Sequence, residues 1–309
     1  MASQLLKGFL SSSFSILILG ERGTGKTRII RDLHLKKIVS ANCASFADDS
    51  KAESELFGYV AGAFTGANPK GQKGLIQQAE RGVLFLDEVH SLSKIVQAKL
   101  MTALQTNQNN EMFIRPLGAT ESVAVKDVHL LFASNRSISD LRTLLLPDFY
   151  DRIVQHVIEL PSLHDTIDDV DSDWSTVWQE LKFKEKCPIS SALINWLKKL
   201  PLTGNYRDLQ KIAMNYHAYQ IFDEETRRQL QGLGIRSAFD FAKEQYKKYG
   251  SAESDFNPLF CKGKTANELE REYHYRLQNW ATEAYRTRAE AAQHLQVTEK
   301  TLNNWKNRK

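Results

Sequence analysis

The chain has 309 residues, 42% apolar and 25% charged, the balance of a soluble globule with room for two or three domains. No apolar run approaches a membrane span and the N-terminus lacks a secretory pattern. Cys43, Cys187 and Cys261 are too scattered for a disulfide framework or a zinc site, so a cytoplasmic protein with no membrane partner is expected. The formal charge of +4 sits in the last segment: Lys262–Lys309 carries ten Lys/Arg against six Asp/Glu, a hint of a tail that faces nucleic acid.

Taken in chain order, the first informative stretch is Phe14–Thr27, FSILILGERGTGKT. Ile16, Leu17, Ile18 and Leu19 form a continuous apolar run, as expected of a strand covered on both faces. Gly20, Glu21, Arg22, Gly23, Thr24, Gly25, Lys26 and Thr27 then fit G-x-x-x-x-G-K-[ST], a phosphate-binding loop between a strand and a helix of about Thr27–Leu33. Glycines let backbone N–H groups turn inward around a phosphate, Lys26 supplies a point charge, and Thr27 offers a hydroxyl to Mg²⁺. A second strand is expected over Lys37–Asn42 and a helix over Asp48–Phe57. Next comes LFGYVAGAFTGA, Leu56–Ala67, closed by Asn68-Pro69-Lys70-Gly71.

A second apolar run, Val83–Leu86, ends in Asp87-Glu88. Ser93–Leu104 has helical spacing, with Ile95, Val96, Leu100 and Leu104 apolar. Met112–Ile114 and Ser122–Val125 read as a hairpin around Gly118. Val128–Ala133 is another buried-strand candidate, ending at Ser134-Asn135-Arg136. Strands alternating with helices indicate a parallel α/β sheet, whose ligands gather at the carboxyl ends of the strands. Three motifs fall at such ends. Alone, Asp87-Glu88 would be a strand reaching the surface. Behind the Lys26 loop, it reads as the acidic pair of an ATPase, Asp87 holding Mg²⁺ directly or through water and Glu88 taking a proton from the attacking water or orienting it.

From Pro161 the texture changes. Asp165–Asp173 is an acidic loop or helix start. Helices are expected over Trp174–Phe183, Ser190–Leu200, Tyr206–Phe222 and Ala238–Tyr249, making a small helical domain. Gly250–Gly263 reads as a linker. In the last block, Thr265–Ala284, Arg288–Leu295 and Thr298–Arg308 have the spacing of a helix, a second helix and a recognition helix across a Gln296-Val297 turn. The expected domains are therefore 1–161, 162–250, a linker at 251–264, and 265–309.

With these motifs in hand, the chain resembles the AAA+ ATPases that activate sigma-54 RNA polymerase, the bacterial enhancer-binding proteins. The resemblance runs from about Ser15 to Leu209 and again at the C-terminus. Its most specific piece is Gly62-Ala63-Phe64-Thr65-Gly66-Ala67, the family's sigma-54 contact loop, with Phe64 and Thr65 at the tip. From the residues alone, a Gly-rich turn burying Phe64 would be the simpler reading. The resemblance implies a P-loop parallel sheet with flanking helices, an α-helical lid and a Fis-type helix-turn-helix. It also implies a homo-oligomer, a hexameric ring hydrolysing ATP with Mg²⁺ between subunits.

Other roles carry over by residue. Asn42, in VSANCASF, would pair with Glu88 and switch it. Asn135 would sense the γ-phosphate. Arg152, in DFYDRI, would act as an arginine finger, and Arg207, in GNYRDL, as the lid's sensor. In isolation, Arg152 and Arg207 would read as ordinary surface ion-pair residues. In the helix-turn-helix, Thr298, Glu299, Lys300, Asn303, Asn304 and Lys306 would face an enhancer DNA groove, with Arg288 on phosphate.

The chain also departs from the family. Leu146 stands where a second finger arginine is usual, with Arg142 or Arg136 as substitutes. The Arg-rich turn after the LP-x-L element is replaced by Leu163-His164-Asp165. The segment before Gly20 is short, and no receiver, sensory or GAF-like domain is expected before it, so control is expected from a regulatory protein in trans, from expression level or from DNA occupancy. These departures support a second reading, an ATP-switched DNA-bound regulator or adaptor with little hydrolysis.

Overall fold

Alternate residues of the central strands feed two separate cores, which places the sheet inside the molecule. In β1 (Ile16–Leu19), Leu17 and Leu19 face one core while Ile16 and Ile18 face the other. In β5 (Gly82–Asp87), Leu84 and Leu86 divide from Val83 and Phe85 in the same way, as the two-residue period of a strand requires.

The computed structural model describes residues 2–10, 14–105, 107, 111–250, 287–294 and 298. The chain divides into two units, Met1–Gly250 and Ser251–Lys309. The first holds a five-stranded parallel sheet in the order β2-β5-β8-β1-β9, where β2 is Ile38–Asn42, β8 is Val128–Ser134 and β9 is His156–Glu159. One face is covered by α1 (Ala2–Phe9) and α2 (Lys26–Arg31), through Leu6 and Ile30. The other is covered by α3 (Asp49–Phe57), α4 (Leu75–Gln78), α5 (Lys94–Ala103), α6 (Ile138–Leu144) and α7 (Pro147–Ile153).

Local chemistry sets several of these ends. Asp48, Ser93 and Ser137 each cap a helix, accepting from Lys51, Val96 and Asp140 N–H. Pro147 opens α7, where its missing N–H costs nothing. Two small antiparallel pairs stand off the main sheet: β3 (Gly58–Tyr59) with β4 (Gln72–Lys73), and β6 (Glu111–Ile114) with β7 (Val123–Lys126).

A third core is built mainly by helices, with no strand. Trp174, Val177 and Trp178 of α8 (Val170–Glu180) pack with Leu193 and Leu197 of α9 (Ser191–Leu197). They also meet Leu209, Ile212 and Ala213 of α10 (Tyr206–Ile221) and Ala242 of α12 (Ala238–Tyr249). α11 (Glu224–Gly232) buries none of its residues.

Some expected bounds shift. The loop helix begins at Lys26 and stops at Arg31, because His34 turns left-handed just beyond it. The acidic stretch starts α8 four residues before Trp174, and α9 ends before Leu200. Ile95 is 59% exposed, so it lies outside the core that its spacing suggests. In the second unit the described helix is α13 (Arg288–His294), with Thr287 Oγ1 accepting from Glu290 N–H at 3.2 Å. The expected linker at 251–264, the helix Thr265–Ala284 and the body of the recognition helix lie outside the described residues, together with Glu299, Lys300, Asn303, Asn304 and Lys306.

Candidate functional site

β1, β8 and β5 are adjacent and parallel, so the segments that follow them leave one edge of the sheet side by side. Gly20 N–H donates to the Ser134 carbonyl at 3.3 Å, tying the first turn after β1 to the end of β8. On the far side, Asn42 stands in register with Asp87.

The Gly20–Thr27 loop wraps its own lysine. Lys26 is buried, and its Nζ donates to the carbonyls of Gly20 at 2.7 Å and Glu21 at 2.9 Å. Burial lowers its pKa, while the nearby carboxylates of Asp87 and Glu88 raise it. Thr24 Oγ1 donates to the Glu21 carbonyl, and Thr27 stands exposed in the first turn of α2. Cys43, beneath the site, has its thiol pushed up to about 12 by burial and by the Asp87 and Glu88 charges, which keeps it protonated.

Asp87 Oδ1 accepts the Glu88 N–H at 2.9 Å, and Glu88 itself has φ +53, the left-handed region that a side chain enters at a cost. That turn aims its carboxylate back across the sheet edge. Asn135 Nδ2 donates to Glu88 Oε1 at 3.2 Å. Glu88 Oε2 is buried with no hydrogen bond, and His90 Nε2 lies 3.5 Å away, an ion-pair distance too long for a good hydrogen bond.

The partner of Glu88 is therefore Asn135 and not the expected Asn42. Asn42 Oδ1 instead accepts from Ala44 N–H at 2.9 Å, capping the short turn Cys43–Ser45. The physical reason is local: an Asn just before a turn finds the N–H two residues on, and that bond takes its side chain.

The helical part closes on the loop from above. Gly23, at φ +80, approaches Gly204 so closely that a Cβ there would strike the Gly204 carbonyl oxygen. Tyr206 N–H donates to the Gly23 carbonyl at 3.1 Å. Asn205 is fully buried, donates to Arg22 O at 3.0 Å and Glu21 Oε2 at 3.1 Å, and accepts from Leu163 N–H at 2.6 Å. Arg28 of α2 pairs with Glu180 of α8 at 2.8 Å. Arg207 follows on α10, exposed, and its charge reaches Lys26.

Two expected groups lie apart. Arg152 is exposed near the end of α7 and makes no ion pair or hydrogen bond among the described residues. Arg142, its suggested substitute, donates to Tyr150 Oη at 3.3 Å, and Arg136 is exposed. Leu146 caps α7, with its N–H donated to the buried Gln97. The Gly62–Ala67 loop projects from β3. Phe64 is 46% exposed, its ring edge-on to Tyr59 at 5.0 Å, rather than buried as a simple Gly-rich turn would have it. The stem is braced by Val60 N–H to Leu117 O and Leu117 N–H to Gly58 O, at 3.0 and 2.9 Å. Of the expected DNA contacts, Arg288 begins α13 and Thr298 is exposed.

Asn205, His90 and Ser134 belong to this site and carry no motif of their own. The one hint is position, since each adjoins a residue that the motifs pick out.

The residues fit a magnesium nucleotide. Mg²⁺ takes only one or two protein oxygens and fills its shell from phosphate and water, and Thr27 and Asp87 offer such a pair. Among the described residues no cluster of three or more His, Cys, Asp or Glu is placed to hold a metal ion. No described helix is long and apolar enough to cross a membrane.

Residues 1–159 match the family profile described as the sigma-54 interaction domain, more than half of the chain. The chain is 33% identical over 238 residues to the acetoin dehydrogenase operon transcriptional activator AcoR of Bacillus subtilis, covering 72% of this chain and 37% of that protein. It is 34% identical over 220 residues to the nitrogen fixation protein AnfA of Azotobacter vinelandii, covering 68% and 40%. The chain thus spans well under half the length of these relatives. In fold it is similar to NtrX of Brucella abortus in complex with ATP, with a TM-score of 0.61 at 17% identity, over 99% of this chain and 66% of that one.

Proposed function

Because the chain belongs to the sigma-54 interaction domain family, we propose that it is an AAA+ ATPase that remodels the closed complex of sigma-54 RNA polymerase while bound to enhancer DNA. The observation that carries this reading is Glu88, a carboxylate held by Asn135 at the same sheet edge as the buried Lys26. The Gly20–Thr27 loop, Thr27 and Asp87 would hold magnesium–ATP, whose cation would make the γ-phosphate more electrophilic. Glu88 would take the proton of the attacking water as its oxygen bonds to the γ-phosphorus, while the bond from that phosphorus to the bridging oxygen breaks and ADP leaves. Asn135 sits between Glu88 and the loop, placed to register the phosphate. Arg152, exposed and unpaired among the described residues, completes the site of a neighbouring subunit in a ring, a hexamer by analogy with the family. Asn42, next to Asp87 in the sheet, acts in a nucleotide state in which it leaves Ala44. Arg207 follows the phosphate from the lid.

The Gly62–Ala67 loop delivers the work. Its apolar tip is exposed and its stem is tied to the β6–β7 hairpin, so Phe64 and Thr65 meet sigma-54 rather than the core. The C-terminal segment, with Arg288 and Thr298–Lys306, keeps the assembly on its DNA site, and a regulatory protein in trans sets its activity. The experiment is open-complex formation by sigma-54 polymerase on a linked promoter. Wild-type protein with ATP opens the promoter, whereas Lys26→Ala does not. Opening without hydrolysable ATP overturns the reading.

Leu146 and the occupied Glu88 favour one other reading, an ATP-switched DNA-binding regulator or adaptor with little hydrolysis. ATPase rate against protein concentration separates the two. A shared site gives a steep rise, and a switch gives a flat rate near zero.

A further inference from the structure

We propose that His90 is a positioning residue for Glu88, holding one carboxylate oxygen through a relay anchored on Ser134. The inference rests on the ATPase reading and adds a residue to it. His90 lies in the short turn Val89–Ser91, two residues after Glu88. Its Nδ1 is 2.9 Å from Ser134 Oγ, and its Nε2 is 3.5 Å from Glu88 Oε2.

The network assigns the ring proton. Ser134 Oγ accepts the Arg136 N–H at 3.0 Å, and its own proton has no acceptor other than His90 Nδ1 among the described residues. The hydroxyl therefore donates to Nδ1, and the proton of a neutral ring sits on Nε2, facing Glu88. That is the donor which the orphaned Oε2 lacks. Burial disfavours the charged ring, against the pull of Glu88 and Asp87, and Arg136 and Lys26 disfavour it further. Serine, histidine and glutamate are the residue types of a hydrolytic triad, but Ser134 has no exposed surface, so its hydroxyl cannot reach a substrate.

The relay explains how Glu88 stays aimed. Asn135 holds Oε1, and Asn135 is also the residue placed to register a phosphate. When Asn135 turns to that phosphate, Oε1 is freed to take a proton from water. His90 then closes on Oε2 and keeps the carboxylate from rotating away. Both holders come from the tip of β8: Asn135 directly, and Ser134 through His90.

The test uses the full chain. His90→Ala is expected to lower kcat about tenfold with KM changed less than about twofold, the pattern of a lost orientation rather than lost binding. His90→Gln, which keeps an N–H donor near the Nε2 position, restores much of that loss. If His90→Ala does not fold, His90→Gln and Ser134→Ala carry the measurement. In the double-mutant cycle, Ser134→Ala costs little once His90 is gone. Equal costs in both backgrounds, or an unchanged kcat in His90→Ala, overturn the proposal. Independently of activity, ring ¹⁵N shifts of nucleotide-free protein report the Nε2–H tautomer, and Glu88→Gln shifts the His90 titration. A proton on Nδ1, or a titration indifferent to Glu88, also overturns it. If the wild type hydrolyses no ATP at any concentration, the proposed function fails, and the ¹⁵N result still decides the relay.

Discussion

Gly23 and Gly204 meet backbone to backbone, with no space for a side chain on Gly23. The contact joins the phosphate loop to the start of α10, and the Tyr206 and Asn205 hydrogen bonds lie on either side of it. Gly23→Ala places a Cβ against the Gly204 carbonyl and forces a left-handed alanine, costing about 1–3 kcal/mol for the backbone alone. The expected result is a lower melting temperature and at least tenfold weaker nucleotide binding by calorimetry. Binding and melting equal to wild type would show that the helices close on the loop some other way.

Glu88→Gln keeps an oxygen for the Asn135 donor and removes the proposed base. ATP turnover should fall by about 10²- to 10⁴-fold, the range for a lost general base. Nucleotide affinity should hold within about twofold. Unchanged turnover would remove Glu88 from the chemistry.

If Arg152 completes a neighbour's site as proposed, Arg152→Ala should cost about 10³-fold in turnover without weakening nucleotide binding. Mixing gives the sharper measurement. Arg152→Ala subunits keep a competent loop and Lys26→Ala subunits keep a competent arginine, so a mixture of two inactive proteins should regain hydrolysis. No recovery at any ratio argues against a shared site.

Thr65→Ala and Phe64→Ala alter an exposed tip, so stability should change by no more than about 0.5 kcal/mol for Thr65 and about 1 kcal/mol for the Phe64–Tyr59 edge contact. ATPase activity should persist while open-complex formation is lost. Full promoter opening by Thr65→Ala would separate the loop from the polymerase.

The depressed pKa of His90 also predicts a pH dependence of stability. In the unfolded chain the ring binds its proton near its ordinary value, about 6.5, whereas the folded ring resists it. The unfolded state therefore holds more protons just below that pH. Stability is undiminished above about 6.5 and is lost as pH falls through the depressed value. The melting temperature of His90→Gln should fall less steeply between pH 7 and 5 than that of the wild type. Equal slopes would place the acid sensitivity elsewhere.

The phosphate loop and the acidic pair were legible because buried parallel strands are written as unbroken apolar runs, and Gly20–Thr27 and Asp87-Glu88 follow two of them. The edge strand His156–Glu159 escapes that reading. It buries only Ile158 fully, and its four residues mix His and Glu with two apolar ones. The helix Glu224–Gly232 escapes for a related reason, having no buried face to impose a period. Leu6 packs beneath the sheet from a helix of eight residues, too short for its stripe to stand out. The site's motif residues are visible one by one, but their pairing is not. Asn42 ends one strand and Asn135 directly follows another, and which one reaches Glu88 depends on strand order and on the left-handed turn at Glu88, neither of which is written in a motif.

β8 lies between the strand that leads into the lysine loop and the strand that ends at the acidic pair. On the proposed ATPase reading, the groups that would grip the substrate and those that would cleave it share one wall. A change of bulk at Leu131, Phe132 or Ala133, all fully buried between those two strands, would be transmitted to both rooms together, so that on this reading affinity and speed would shift as one.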